Sequence, residues 1–152
     1  MLKVGNRAPD FELLDQSGAS VTLHSLVEIG ELILYFYPVD FSPVCTAQAC
    51  AFRDRFDDIQ ASGRRIVGIS PQDVATHRRF AERFRVPFPM LADPGKQVIR
   101  AFGVDGPLGF GVRRATFLID ASQSIRARVV SDLFIGTHME LIERTLAARE
   151  AG

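Results

Sequence analysis

The chain contains an unbroken apolar and aromatic run of strand length, from Leu32 to Tyr37, which ends at Pro38. A strand with no polar alternation is expected to be buried on both faces, so it needs other structure packed above and below it. We therefore expect a central strand in a sheet that carries helices on its faces. Proline fits the end of such a strand because it cannot donate to a sheet hydrogen bond.

The remaining patterns alternate between strand and helix. Short apolar stretches around the turn at residues 15–18 predict an N-terminal hairpin. A helix from about Pro43 to Gln60 follows the buried strand, and a last helix begins near Thr137. This order predicts an α/β chain with the thioredoxin-like fold, a central mixed β-sheet flanked by helices, in one domain over residues 1–152. The other predicted elements are strands at 65–70, 114–119 and 125–130, helices at 74–85 and 97–102, and an extended piece at 88–91.

Composition limits the kinds of partner. The 18 basic and 18 acidic residues give a formal net charge of zero with no basic block, which argues against nucleic acid or an anionic membrane as partners. The N-terminal residues lack the apolar region of a secretory signal, and no apolar run approaches the ~20 residues of a membrane-spanning helix. We therefore expect a cytoplasmic protein.

Cys45 and Cys50 are the only two cysteines in the chain. In a reducing cytosol, such a pair is expected to be catalytic, metal-binding or redox-sensing instead of a permanent crosslink. Metal binding is the weakest of these interpretations, because no histidine lies near either cysteine in the sequence and two sulfurs do not complete a zinc site.

The dipeptide Ser42-Pro43 is a good helix start and places Cys45 in the first turn. Serine can cap free backbone amides there, and proline suits the first helical position. The unpaired amides and the positive end of the helix dipole favour a thiolate at Cys45. At ~100° per residue, Cys45 lies on the apolar stripe with Phe52 and faces inward, whereas Cys50 lies on the polar face.

Helical geometry separates the two cysteines. Five residues apart on a helix, their Cα atoms are expected ~8–9 Å from each other. A disulfide rarely tolerates more than ~7 Å between Cα atoms. A bond between Cys45 and Cys50 therefore requires the first turns of the helix to unwind, which is feasible because helix ends open locally at low cost.

The segment from Tyr35 through Pro38 and Cys45 to Asp54 resembles the active-site signature of the peroxiredoxins, specifically the bacterioferritin-comigratory or PrxQ-type subgroup. Supporting stretches at residues 4–11, 67–70, 91–94 and 114–120 extend the similarity over most of the chain. The resemblance implies a thiol-dependent peroxidase that reduces hydrogen peroxide and organic hydroperoxides without a metal or organic cofactor. It also implies thioredoxin or a similar dithiol as reductant, and a monomer in preference to a dimer.

The same resemblance assigns the site residues. Cys45 is implied as the peroxidatic nucleophile and Cys50 as the resolving thiol, joined by an intramolecular disulfide during turnover. Pro38, Ser42 and Arg114 are implied to complete the site. Arg114 is preferred to its neighbour Arg113 because it matches the Arg-x-Thr-Phe spacing.

Two positions depart from the family pattern, and one loop leaves alternatives open. Ser42 stands where the family usually has threonine, which keeps the hydroxyl but loses the β-branch that limits its rotamers. Gln48 stands where glutamate is common, so any hydrogen bond there is neutral. In the glycine-rich loop before Arg114, Leu108 and Phe110 either line an apolar mouth for larger peroxides or anchor the loop to the core, and anchoring is the favoured interpretation.

Two other functions remain open from the sequence. A thioredoxin-like thiol–disulfide oxidoreductase generally uses Cys-x-x-Cys, and the wider spacing here speaks against it. A redox sensor or a holdase is the non-enzymatic alternative. The three histidines, His24, His77 and His138, are expected at the surface or in packing roles.

Overall fold

The structure is a computed structural model that describes residues 1–151, so Gly152, the last residue of the expected domain, lies outside the described residues. Strands and helices alternate along the chain in the expected order. The strands are β1 (Glu12–Leu14), β2 (Ser20–Thr22), β3 (Leu32–Phe36), β4 (Arg65–Ser70), β5 (Met90–Ala92), β6 (Ala115–Ile119) and β7 (Ile125–Val130). The helices are α1 (Leu23–Val27), α2 (Pro43–Asp54), α3 (Phe56–Ala61), α4 (Val74–Phe84), α5 (Gln97–Ala101) and α6 (Ile135–Ala151).

The strands form one mixed sheet in the order β2-β1-β5-β4-β3-β6-β7. β3 pairs in parallel with β4 and antiparallel with β6, and β1 and β2 form the expected N-terminal hairpin at one edge. All five residues of β3 are buried, which confirms the prediction of a strand covered on both faces. Successive β3 side chains enter two separate core clusters, because neighbouring residues of a strand point to opposite faces.

Tyr35 of β3 lies in the core cluster that contains α2. Its ring packs edge-on against Phe52 of α2 at a centroid distance of 4.8 Å and stacks on Tyr37 at 5.3 Å. The neighbouring residue on β4 is Gly68, where an added Cβ would lie 2.8 Å from Cζ of Tyr35. Glycine at position 68 therefore leaves the space that the tyrosine ring occupies beneath α2.

The predicted helix from Pro43 to Gln60 is wrong in its length. Arg55 adopts φ −101° and ψ 4°, and its backbone N–H donates to the carbonyl of Phe52, three residues earlier. This tight turn ends α2, and α3 begins at Phe56.

Sequence periodicity also missed α1 and a short 3-10 turn at Pro107–Gly109. Across the described residues, every helix falls short of the length and apolar character that a bilayer-spanning segment requires.

Candidate active site

The candidate site lies where the chain leaves the carboxyl end of β3 and enters α2. Pro38 is half-buried in a bend just after the strand, and Ser42 is the residue that precedes the first helical residue, Pro43. The side chain of Ser42 makes no capping hydrogen bond; its hydroxyl donates instead to the carbonyl of Val39 at 3.2 Å. The predicted cap is therefore wrong, because the hydroxyl turns back toward the loop and leaves the first amides of α2 free.

Cys45 is buried in the first turn of α2, with 2% of its surface exposed. Its inward orientation confirms the helical-wheel prediction. The Nη2 group of Arg114 donates to Sγ of Cys45 at 3.2 Å. The structure thus places this sulfur next to a cationic donor and in the first turn of a helix, whose first amides are free.

Arg114 directly precedes β6 and is itself buried, with 3% of its surface exposed. Its Nη1 donates to the side-chain oxygen of Gln48 at 2.6 Å, and its Nε donates to the carbonyl of Asp132 at 3.1 Å. These two acceptors are neutral, whereas a buried cation is stable only with charge compensation. Among the side chains that Arg114 contacts, Cys45 can become an anion, so the contact to Sγ is the one through which the guanidinium can act on a reacting group.

Arg113 has a different environment from its neighbour. Its side chain is 43% exposed and forms an ion pair with Asp132, with Nε 2.9 Å from Oδ2. Asp132 Oδ1 also accepts the backbone N–H of Arg114 at 3.0 Å. The structure thus brings Arg114 to Cys45 and leaves Arg113 at the surface, in agreement with the choice made from the Arg-x-Thr-Phe spacing.

Gln48 is fully buried one turn after Cys45. It offers Arg114 a neutral acceptor in place of a carboxylate, as expected for glutamine at this position. Its Nε2 is buried and finds no hydrogen-bond partner among the described residues. The site therefore contains an additional N–H donor that the protein itself does not use.

Comparison with known proteins gives the family. The sequence profile of the AhpC/TSA family matches residues 4–128. The chain belongs to the AhpC/TSA family. Chloroplastic peroxiredoxin Q of Arabidopsis thaliana is 42% identical over 118 residues, which cover 76% of this chain and 54% of that protein. The chain thus spans about half the length of the curated relatives it matches.

Solved structures agree with this assignment to the AhpC/TSA family. Peroxidoxin BcpB of Mycobacterium tuberculosis has a TM-score of 0.90 and 36% identity, covering 97% of this chain and 98% of that one. The bacterioferritin comigratory protein of Xanthomonas campestris, described for its alkyl peroxide reduction activity, has a TM-score of 0.84 and 25% identity, covering 99% of this chain and 97% of that one. The expected resemblance to PrxQ-type peroxiredoxins and the thioredoxin-like fold are both confirmed.

Cys50 of this AhpC/TSA chain is half-buried, and both cysteines are free thiols. α2 is continuous through the two positions, which matches the helical arrangement expected for the reduced protein. The intramolecular disulfide and the unwinding that it requires stay predictions.

Two tyrosines from the end of β3 contribute to the wall behind Cys45. Burial is the main cause that raises the pKa of Tyr35 and of Tyr37 well above the usual value. Both phenols therefore stay neutral at physiological pH. The hydroxyl of Tyr37 donates to Asp40 Oδ1 at 2.7 Å, whereas that of Tyr35 has no partner among the described residues.

Sequence reasoning missed a buried polar cluster beside the site. Asp40, in the loop between β3 and α2, contacts His77 of α4, and both side chains are fully buried. His138 is also fully buried; its Nδ1 lies 2.7 Å from the Thr116 hydroxyl, and its Nε2 donates to the carbonyl of Ser131 at 2.9 Å. For each histidine, the signal available in the sequence was a polar residue at an otherwise apolar helix position. That signal indicates burial but does not identify the hydrogen-bond partner.

The glycine-rich loop also differs from the favoured expectation. Leu108 is 96% exposed and Phe110 is 77% exposed. The prediction that these side chains anchor the loop to the core is therefore wrong. Lys96 holds the loop through its backbone instead, donating from Nζ to the carbonyls of Gly109 and Gly111 at 3.3 and 3.1 Å. The loop keeps its shape without burying its two large apolar side chains.

Proposed function

We propose that this protein is a thiol-dependent peroxidase that reduces hydrogen peroxide and organic hydroperoxides. The observation that carries the proposal is the 3.2 Å contact from Arg114 Nη2 to Cys45 Sγ at the start of α2, in a chain of the AhpC/TSA family. A buried thiolate beside a fixed cation combines a nucleophile with donors for the charge that develops on a departing oxygen.

In the first step, the Cys45 thiolate attacks the distal oxygen of the hydroperoxide. The S–O bond forms as the O–O bond breaks, and the departing alkoxide or hydroxide takes up a proton to leave as alcohol or water. Arg114 and the free amides of the first helical turn stabilise the negative charge on the oxygens. Sulfur is oxidised to sulfenic acid while the peroxide is reduced. Ser42 and Pro38 shape the approach to Cys45 in this proposal.

In the second step, the Cys50 thiol attacks the sulfenic sulfur of Cys45, and water leaves as the disulfide forms. The first turns of α2 unwind to bring the sulfurs together, because the intact helix holds the Cα atoms too far apart. An external dithiol then reduces the disulfide by thiol–disulfide exchange and becomes oxidised itself. Thioredoxin or a similar small dithiol protein is the proposed donor, and the proposed enzyme is a cytoplasmic monomer.

The exposure of Leu108 and Phe110 favours the interpretation in which they line an apolar mouth for larger peroxides. The loop leads directly into Arg113 and Arg114, so its apolar side chains lie on the chain segment that delivers the guanidinium to Cys45. In this proposal the two side chains form an apolar mouth to the site, which suits hydroperoxides with an apolar substituent.

The deciding experiment is rapid mixing of the reduced protein with hydrogen peroxide, followed by acid quench and mass spectrometry. We expect fast loss of the Cys45 thiol and then one intramolecular disulfide per chain. Cys45→Ser should abolish the fast reaction, and Cys50→Ser should oxidise at the wild-type rate but stop at sulfenic acid. Oxidation of wild type at the rate of an ordinary free thiol would refute the proposal. Rapid insulin reduction would favour a thiol–disulfide oxidoreductase instead.

A further inference from the structure

The fully buried Asp40–His77 pair connects the loop before Cys45 to a different helix. Asp40 lies in the loop between β3 and α2, and His77 lies in α4. Their side chains are both 0% exposed, and Nδ1 of His77 is 2.5 Å from Oδ2 of Asp40. Burying two such polar groups costs free energy unless they satisfy each other, so the pair has a strict geometry.

Hydrogen-bond chemistry fixes where the protons of the pair reside. Nε2 of His77 is 3.1 Å from the carbonyl of Leu91, which only accepts, so Nε2 carries a hydrogen. The Nδ1 to Oδ2 contact with Asp40 then requires one further proton between the two atoms. Loss of either partner therefore leaves a polar group of the other unsatisfied in the interior.

Further hydrogen bonds immobilise the same loop. The hydroxyl of Tyr37 donates to the second carboxyl oxygen of Asp40 at 2.7 Å. Gln72 contacts the loop backbone twice: its Oε1 accepts from the N–H of Asp40 at 3.0 Å, and its Nε2 donates to the carbonyl of Pro38 at 3.1 Å. Residues 37–40 are thus held by side chains of α4 and of the segment after β4.

Phe41 follows this segment, and its ring packs against Phe80 and Phe84 of α4 at centroid distances of 5.3 and 6.1 Å. Phe41 has φ +71°, a left-handed conformation that is costly for a bulky side chain, and it is 47% exposed. Ser42 and the first turn of α2 come next. The restraint on Asp40 therefore acts together with this packing, in the loop just before the helix turn that carries Cys45.

We propose that His77, acting through Asp40, is a positioning residue that sets the balance between the helical and the unwound start of α2. The inference rests on the proposed peroxidase function, in which peroxide reacts with the helical arrangement and the disulfide forms from the unwound one. Releasing Asp40 loosens the anchor of α2 and shifts the population toward the unwound form. The two chemical steps then respond in opposite directions: oxidation of Cys45 slows, and resolution by Cys50 accelerates.

Two substitutions at each position test the contact between Asp40 and His77: one removes the contact and the other keeps it. His77→Gln keeps a donor at the position of Nε2 but loses the contact with Asp40. His77→Asn places an N–H near the position of Nδ1 and so keeps the contact with Asp40. Asp40→Ala removes the carboxyl group. Asp40→Asn retains the bridge, because its amide donates to neutral Nδ1 while its oxygen still accepts from Tyr37.

The measurement is quenched-flow mass spectrometry of the full chain, giving one rate constant for Cys45 sulfenic acid formation and a second for disulfide formation. His77→Gln and Asp40→Ala are expected to lower the first about tenfold and raise the second at least about twofold, the effect of losing one buried charge-assisted bond. His77→Asn and Asp40→Asn are expected to stay within about threefold of wild type in both constants. Urea unfolding confirms that each variant is folded.

Opposite shifts in the two constants, restored by Asp40→Asn, support the proposal. It is overturned if both constants fall together, which is the result of general damage to the fold, or if both stay at the wild-type values in His77→Gln and Asp40→Ala. Should Asp40→Ala fail to fold, His77→Gln and Asp40→Asn decide the outcome alone. Failure of the peroxidase function itself is distinguishable, because wild type would then show no fast oxidation at all.

Discussion

Arg114 Nη2 lies 3.2 Å from Cys45 Sγ although the two residues are 69 positions apart in the chain. Arg114 directly precedes β6, which pairs with β3, and the carboxyl end of β3 leads into α2. The sheet itself therefore sets the distance between cation and sulfur. The contact depends on the fork of the guanidinium, since one nitrogen contacts sulfur while another holds Gln48.

Replacement of Arg114 tests this contact. Arg114→Gln is expected to lower the second-order rate constant for oxidation by hydrogen peroxide about 100-fold, because it removes both the charge that favours the thiolate and a donor for the departing oxygen. Arg114→Lys keeps the charge but loses the fork, and is expected to recover only part of the rate. Stopped-flow competition against a second peroxide scavenger measures these constants. Arg113→Gln is the matched control, and an equal loss in that variant would contradict the assignment.

Gly68 gives a prediction about stability. A Cβ at this position would lie 2.8 Å from Cζ of Tyr35, whose ring is confined by Phe52 and Phe88. Gly68→Ala is therefore expected to lower the free energy of unfolding by about 1–3 kcal/mol through overpacking. Urea denaturation measures the change. Gly136→Ala is the control, because its added Cβ meets no atom within 4 Å, and it should leave the stability unchanged or slightly increased.

The exposed pair Leu108 and Phe110 predicts substrate preference. Replacing both by serine should lower the oxidation rate with cumene hydroperoxide about three- to tenfold, the effect of losing partial burial of an aromatic substituent. The rate with hydrogen peroxide should not change, since that substrate has no apolar part. Leu14→Ser, at an exposed leucine of the N-terminal hairpin, serves as the control. An unchanged ratio of the two rates would show that this loop does not contact the substrate.

His138 predicts a pH-dependent contribution to stability. Burial is the main cause that lowers its pKa below the usual value. An unfolded histidine takes up its proton near about pH 6.5, whereas the folded one resists protonation until a lower pH. The unfolded state therefore binds more protons in this window, and the free energy of unfolding falls as the pH falls below about 6.5.

His138→Gln should reduce that dependence, because glutamine keeps a donor for the Ser131 carbonyl but does not titrate. Urea unfolding at several pH values between about 5 and about 8 measures the slope. His24→Gln, at an exposed histidine, is the control. Identical slopes in wild type and His138→Gln would rule out this residue as the source.

Local sequence signals predicted the features that depend on neighbouring residues. The burial of β3 and the inward orientation of Cys45 followed from periodicity, and Arg114 followed from a short motif. The Asp40–His77 pair did not, because its members are 37 residues apart and meet only when α4 packs beside the loop. The exposure of Leu108 was missed for a related reason: hydrophobicity indicates a tendency to be buried, but whether a loop side chain reaches the core depends on the path of its backbone.

The stacked rings of Tyr35 and Tyr37 have an optical consequence. The chain contains no tryptophan and only these two tyrosines, which lie in the same core cluster as Cys45. All of its tyrosine emission therefore originates in the core cluster that contains the reactive sulfur. Changes in that emission report on the environment of the sulfur without an attached dye, so redox cycling of the native chain is visible in an ordinary fluorimeter.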